Sequence, residues 1–270
     1  MRGSSRASLT VAKERLTQTL AGDVDPGQLG DELFAVTALL DSEAGLRRTL
    51  SDPTRDARAK VGLAQGLLGG RIGAPALDLV SALVAERWSG SADLADACEE
   101  LAVLAFVEVA QREGSLDDVE DELFRFGRVV NGQPELRIAL SDPFFPADRK
   151  RALLNALLGG RVTATTMRLV TQAAVQPRGR TLDASLDEFA HLAAERRERL
   201  MAEVHVAVAL TAEQRGRLRA ALAAAYGHDV QLNVVLDPQV IGGISVQIAG
   251  EIIDGSTASR LAELRRRLAA

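Results

Sequence analysis

The sequence predicts a mostly α-helical protein in which two related helical bundles are followed by a small α/β domain. Three observations lead to this fold class. Short blocks of sequence recur at a constant offset of 90 residues, and apolar residues in the same region recur every three or four positions. After about residue 200, apolar and polar residues alternate instead, as they do in half-buried strands. The predicted domains are residues 1–91, 92–200 and 201–270.

Three blocks define the repeat. Asp-Glu-Leu-Phe occurs at 31–34 and 121–124, Leu-Ser-Asp-Pro at 50–53 and 140–143, and Leu-Leu-Gly-Gly-Arg at 67–71 and 157–161. Separate blocks in one register, without a gap, indicate a duplication. A period of this length is too long for a solenoid unit, so we expect two related helical bundles.

Each copy contains a helix with one apolar face. The face in the first copy is predicted from Leu29, Leu33, Val36 and Leu40, and the face in the second from Leu116, Val119, Leu123, Phe126 and Val130. Ser115 is predicted as the N-cap of the second of these helices.

Proline and glycine mark the ends of the other helices. Ser-Asp-Pro in each copy ends one helix, Pro146 suits the first turn of the next, and Gly159-Gly160 closes it, as Gly69-Gly70 does in the first copy. Ser89-Gly90-Ser91 predicts a break between the copies. The helix after it, at about 92–112, could end the first bundle and begin the second.

The last third of the chain changes character. Alternation predicts strands at 204–210 and 230–236, and Thr211 with Gln214 predicts a capping box for a helix between them, with Leu218, Leu222 and Ala225 on one face and Gly227 at its end. Asp237-Pro238 starts a turn, and a hairpin follows at 244–248 and 251–253. Ser256 is placed to cap a last helix with Leu261, Leu264 and Leu268 on one face.

Composition argues against several functions. The net charge of −5 does not favour nucleic-acid binding or electrostatic membrane binding, and no apolar run is long enough to span a membrane. The N-terminus lacks the apolar segment of a secretory signal. The single cysteine, Cys98, cannot form an internal disulfide, which favours a reducing compartment, and we expect it to be a small buried side chain.

No catalytic, cofactor or metal site is predicted. His191, His205 and His228 have no cysteine or carboxylate at metal-ligand spacing, and His205 is expected at the surface. Gly242-Gly243 lacks the Lys and Ser/Thr of a phosphate-binding loop. Arg265-Arg266-Arg267 is typical of a solvated helix end, although it could contact an acidic partner. Trp88 is expected to be a core residue, with a recognition anchor as the alternative.

The C-terminal stretch resembles the signature of the δ subunits of bacterial F-type ATP synthases, relatives of the mitochondrial oligomycin-sensitivity-conferring protein. That family has Asp-Pro, Ile-Gly-Gly, Gly-Asp and Ile-Asp-Gly-Ser in this order, and then a helix with spaced leucines. The matching residues are Asp237, Pro238, Ile241, Gly242, Gly243, Gly250, Ile253, Asp254, Gly255, Ser256, Leu261 and Leu264. Glu251 stands where the family usually has Asp. The resemblance covers about residues 97–270, and the first copy is an addition to the shorter family form.

The resemblance implies a non-catalytic peripheral-stalk subunit that connects the catalytic head of the synthase to the b-subunit stalk and resists rotor torque during proton-driven ATP synthesis. It implies no cofactor and two partners, the N-terminal segment of an α subunit and the C-terminal end of the b subunits. The expected location is the cytoplasmic side of a bacterial cell membrane, reached only through the complex.

The family geometry also implies a groove for the α-subunit segment between two helices. In this sequence its residues would be Ala102, Phe106, Val109, Leu169, Val170 and Ala173. The first of these helices lacks the Tyr that the family usually has there, so either copy could receive the segment. The alternative function is a helical adaptor or regulatory protein that binds amphipathic helices of an unrelated partner.

Overall fold

The structure is a computed structural model of the chain, and it describes residues 3–199, 201–226, 230–237, 240, 243–248 and 251–254. The chain divides into two compact units, Met1–Ala193 and Ala194–Ala270. The first unit is helical, and the second contains a small mixed sheet with a helix. The predicted fold class is therefore confirmed.

The helices of the first unit follow the repeat. Helices of the first copy are α1 (Ser4–Leu20), α2 (Pro26–Ser42), α3 (Ala44–Ser51), α4 (Ala57–Leu68) and α5 (Ala74–Ala85). The long helix α6 (Ser91–Glu113) comes next. The second copy continues with α7 (Leu116–Gly132), α8 (Pro134–Ser141), α9 (Ala147–Leu158), α10 (Ala164–Val175) and α11 (Leu182–Arg199), whose last residues belong to the second unit.

Helix α6 belongs to the core of both copies. It packs against α1, α2, α3 and α5, which precede it in the sequence, and against α7 and α10, which follow it. Its buried residues lie all around the helix, which is the pattern of a central helix. The break that the sequence predicts before it is confirmed at Ser89-Gly90. The separate folding of residues 1–91 and 92–200 stays a prediction.

The predicted apolar faces are confirmed. Leu29, Leu33, Val36 and Leu40 of α2 are buried, as are all five predicted residues of α7. Ser115 does occupy the N-cap position of α7, but its hydroxyl donates to the Ala110 carbonyl oxygen instead of accepting from the helix. Pro146 lies one residue earlier than predicted, at the N-cap of α9.

Both copies turn in the same way after α3 and α8. The Asp52 carboxylate accepts a hydrogen bond from the Thr54 N–H at 2.8 Å, and the Asp142 carboxylate accepts one from the Phe144 N–H at 2.8 Å. Gly70 and Gly160 then end α4 and α9 with φ of 75° and 69°. These left-handed conformations favour glycine and explain why the second glycine of each pair recurs at the repeat offset. The first glycine recurs because a Cβ atom at Gly69 or Gly159 would lie 2.5 Å from a carbonyl oxygen of the preceding turn.

The second unit contains β1 (Met201–Val206), α12 (Ala212–Tyr226), β2 (Gln231–Leu236), β3 (Ile244–Ile248) and β4 (Glu251–Asp254). The sheet order is β2-β1-β3-β4, in which β1 is parallel to β2 and antiparallel to β3, and β3 and β4 form a hairpin. Its core consists of Ala202, Val204, Val206, Leu222, Val230, Val246 and Ile248.

The predicted elements of this unit are present with shifted ends. Strand β1 ends at Val206, so Val208, predicted in the strand, lies outside it and is exposed. The predicted capping box is formed. The Thr211 N–H donates to Gln214 Oε1 at 2.9 Å, and the Gln214 N–H donates to Thr211 Oγ1 at 3.2 Å. Tyr226 packs on the core, whereas Ala225, which was predicted on that face, is exposed. Gly227 and the predicted last helix, with Ser256 and its leucines, lie outside the described residues.

Candidate partner-binding surfaces

The six residues predicted to line a groove lie on two helices that pack against each other, α6 and α10. Ala102, Phe106, Leu169, Val170 and Ala173 are buried, and Val109 is half-buried. A segment of another protein could reach the buried five only after a covering helix had moved. Their partner-binding role stays a prediction.

Helix α2 covers the α6 part of this surface. A Cβ atom at Gly30 would lie 2.6 Å from the Phe106 ring and 3.2 Å from the Ala102 carbonyl oxygen, so α2 and α6 approach each other closely because residue 30 is glycine. Phe34 of α2 stacks on Phe106 with ring centroids 5.7 Å apart. An element of the first copy therefore covers Ala102 and Phe106.

Arg168 of α10 packs against both rings of this stack. Its guanidinium carbon lies 4.8 Å from the Phe34 ring centroid and 5.5 Å from that of Phe106. Its Nε donates to the Asp31 carboxylate of α2 at 2.6 Å. The arginine combines an ion pair with cation–π contacts, an arrangement that a lysine could not reproduce. Arg168 is not among the residues predicted from the sequence, although the repeat gives a signal: the equivalent residue of the first copy, Asp78, has the opposite charge.

An open cavity lies between α2 and α10. It has a volume of about 580 Å³ and is lined by Phe34 and Ala35 from α2, by Met167, Thr171 and Val175 from α10, and by Arg151 from α9, among others. None of the six predicted groove residues lines it. In this part of the chain, the accessible face of α10 is thus the one that carries Met167, Thr171 and Val175.

The signature residues of the second unit have structural positions where they are described. The Asp237 N–H donates to the Val206 carbonyl at 2.9 Å, and its carboxylate lies 3.5 Å from His205 Nδ1. Gly243 has a φ of 79°, and Asp254 pairs with Ser245 in the β3–β4 hairpin. Pro238, Gly242, Gly250, Gly255 and Ser256 lie outside the described residues.

No reactive centre is present among the residues that the structure describes. Cys98 is buried, and burial raises the pKa of its thiol to about 12, so it is not a nucleophile at neutral pH. His205 is half-buried between Glu203 and Asp237, less exposed than predicted, and His228 is not described. Trp88 is buried, as predicted, and its indole N–H donates to the Leu83 carbonyl oxygen at 2.8 Å.

The residues that the structure describes contain no group of three or more His, Cys, Asp or Glu side chains placed to hold a metal ion. Within the same ranges, no helix combines the length and the apolar character that crossing a membrane requires.

Comparison with known proteins places this fold in a family. The family model described as ATP synthase delta (OSCP) subunit matches residues 103–268. The chain belongs to this family. The δ subunit of Streptomyces avermitilis is 54% identical over 268 residues, which is 99% of this chain and 98% of that protein. Those of Streptomyces griseus and Acidothermus cellulolyticus are 51% and 49% identical, and each match covers 100% of both chains.

Family membership settles the class of function. The chain is a structural, non-catalytic stator subunit of an F-type ATP synthase, associated with the membrane-bound complex from its periphery. The family model begins within α6, and the relatives span the whole chain, so the first copy is present in them as well. The unrelated helical adaptor is thereby excluded.

Proposed function

We propose that this subunit connects the catalytic head to the b-subunit stalk through two separate contacts, on the cytoplasmic side of a bacterial membrane. The helical unit binds the N-terminal segment of an α subunit, and the C-terminal unit binds the C-terminal end of the b subunits. The observation that carries the proposal is the division of this family member into two compact units, one helical and one containing a sheet. Separate units allow one molecule to hold two partners while the rotor turns.

The second copy is the better candidate for the α-subunit contact. The family model covers this copy and none of α1–α5, and the second copy carries the accessible face of α10 beside the cavity. An amphipathic helix binds such a face by placing its apolar side chains against it. Met167, Thr171 and Val175 are then the first residues touched, and the buried residues Leu169, Val170 and Ala173 support them from behind.

The test titrates the full chain with an α-subunit N-terminal peptide and, separately, with a soluble b fragment. Met167→Arg places a charge in the cavity, and Leu77→Arg places the same charge at the equivalent, half-buried position of the first copy. We expect Met167→Arg to weaken peptide binding at least tenfold and Leu77→Arg to leave it unchanged. The opposite result would assign the α contact to the first copy.

Gly243→Val tests the other contact in the same titration. A β-branched residue at a φ of 79° is strained by about 1–3 kcal/mol, which disturbs the β3–β4 hairpin. We expect weaker b binding and unchanged α binding. Gly216→Ala, in α12 of the same unit, is the control because a Cβ there meets no atom within 4 Å. Equal loss of both affinities in Gly243→Val would contradict a two-ended connector.

A further inference from the structure

The loop between α10 and α11 has an unusual conformation. Within the described ranges, Arg178 is the single non-glycine residue with a positive φ, at 52°, and Gly179 follows at 74°. A residue with a Cβ atom adopts this conformation only when its surroundings hold it there. The side chain of Arg178 is only 6% exposed, which is rare for arginine.

Three carboxylates of the first copy and the shared helix surround this guanidinium. Its Nε lies 2.5 Å from the Asp41 carboxylate of α2, and its two terminal nitrogens lie 2.9 Å from Asp96 and 2.7 Å from Glu99 of α6. Arg180, on the same loop, also contacts Glu99. We call these five side chains the arginine junction.

Arg178 stays charged at the centre of the junction. Burial by itself would lower the pKa of Arg178, but the hydrogen bond with Asp41 and the charges of Glu99, Asp41 and Asp96 together raise it. Glu99 is almost fully buried and pairs with both Arg178 and Arg180, so removal of Arg178 would leave this carboxylate with one arginine of the loop instead of two. The loop is therefore held by ion pairs whose central members, Arg178 and Glu99, are buried.

The repeat shows that these charges occur only where the copies meet. The residue equivalent to Arg178 in the first copy is Trp88, and it is buried at the end of α5. The residues equivalent to Asp41, Asp96 and Glu99 in the second copy are Asn131, Leu186 and Phe189. No member of that second set carries a charge, so the second copy does not offer the same acidic site to another arginine.

Arg168 provides a second, more exposed contact between the copies. It pairs with Asp31 and covers the Phe34 and Phe106 rings. Asp31 and Asp41 are ten residues apart on α2, roughly 15 Å along a helix at 1.5 Å per residue. Two arginines of the second copy thus form ion pairs with one helix of the first copy at two separated points. These contacts oppose both rotation and separation of the two copies.

We propose that the arginine junction locks the two helical copies at one fixed orientation, and that Arg178 is the residue on which this lock depends. The fork of the guanidinium contacts two helices at once, so a rotation of one copy against the other would break at least one of the three ion pairs. Without these ion pairs, bending of α6 would allow one copy to rotate against the other. This inference concerns the chain itself and holds whichever copy binds the α subunit.

The experiment measures the distance between the copies by pulsed electron paramagnetic resonance in the full chain. Spin labels are attached at Gly66→Cys and Ala156→Cys, which are exposed and equivalent in the repeat. Gly66 has open space around its Cβ position, and the native Cys98 is buried with a raised thiol pKa, so it does not compete for the label. The unaltered junction should give one narrow distance distribution.

Arg178→Met should at least double the width of this distribution or add a second maximum. Arg151→Met is the control, because Arg151 is an exposed arginine of the same copy whose ion pair among the described residues is with the exposed Asp148. If circular dichroism shows that Arg178→Met does not fold, Arg178→Lys replaces it, since one ammonium cannot bind all three carboxylates as a fork does. A distribution as narrow as that of the parent chain in a folded Arg178 variant would overturn the proposal.

Discussion

Phe34 and Phe124 occupy equivalent positions in the two helical copies, but their surroundings differ. Phe34 is 2% exposed, because Phe106 and Arg168 pack against it. Phe124 is 57% exposed, and the guanidinium of Arg128 on its own helix lies 6.0 Å from its ring centroid. The same residue type is a core residue where the copies meet and a surface residue where they do not.

The interiors of the two copies have diverged much less. Lys60 and Lys150 are equivalent and buried, and each ammonium donates to a carbonyl oxygen at the end of the following helix, Glu86 in one copy and Ala174 in the other. A positive charge at a helix C-terminus is favourable there. The comparison teaches that the duplicated copies kept one internal packing plan while their outer faces became different.

The largest expected effect distinguishes these two phenylalanines. Phe34→Ala should lower the free energy of unfolding of the helical unit by about 3–5 kcal/mol, because it leaves a cavity beneath Arg168 and beside Phe106. Phe124→Ala should change it by less than about 1 kcal/mol, as expected for an exposed side chain. Urea unfolding followed by circular dichroism measures both. Equal losses would show that the Phe34 stack does not stabilise the contact between the copies.

Glycines provide a second contrast between α2 and α7. Gly30→Ala should destabilise the helical unit by about 1–3 kcal/mol, because the new methyl group would meet the Phe106 ring. Gly127→Ala should stabilise it by about 0.5–1 kcal/mol, since a Cβ there meets no atom within 4 Å and alanine favours the helix. The melting temperatures should move in opposite directions. A shift of the same sign in both would contradict the close approach of α2 and α6.

The sequence predicted what depends on local pattern. The apolar faces of α2 and α7 follow from a spacing of three and four residues, and the hairpin follows from alternation. The strand ends were less accurate, since Val208 continues the alternation but lies beyond Val206, the last residue of β1 that is paired in the described part of the sheet.

The contacts between the copies could not be read in the same way. Arg178 lies in a loop without periodicity, and its partner Asp41 is 137 residues away. The family resemblance implies that Ala102 and Phe106 belong to a groove between two helices, and the spacing of these residues gives no sign that α2 packs over them through Gly30. Their role in binding a partner stays a prediction. Exposure of a surface depends on what the rest of the chain places over it.

The smallest expected effect tests the shared interior. Burial lowers the pKa of both Lys60 and Lys150 below the ordinary value of 10.5. Between the lowered pKa and 10.5, the unfolded chain therefore binds more protons than the folded chain, and this linkage makes stability rise with pH. The cost of the buried ammonium is present at neutral pH and is relieved as the folded protein releases its proton.

Lys60→Met and Lys150→Met should each remove part of that rise. We expect the free energy of unfolding of the parent chain to rise relative to that of each variant as the pH increases toward 10.5, with similar slopes because the two sites are equivalent. The raised pKa of the Cys98 thiol acts in the opposite direction, since the stability that it contributes is lost as pH rises above 9.0. This effect of Cys98 is common to all the chains and cancels in the difference.

Lys13→Met, which removes a lysine paired with Glu100, controls for the loss of a charge. Urea titrations at each pH give the slopes. A slope change in only one of the two methionine variants would mean that the interiors of the copies have diverged as their surfaces have.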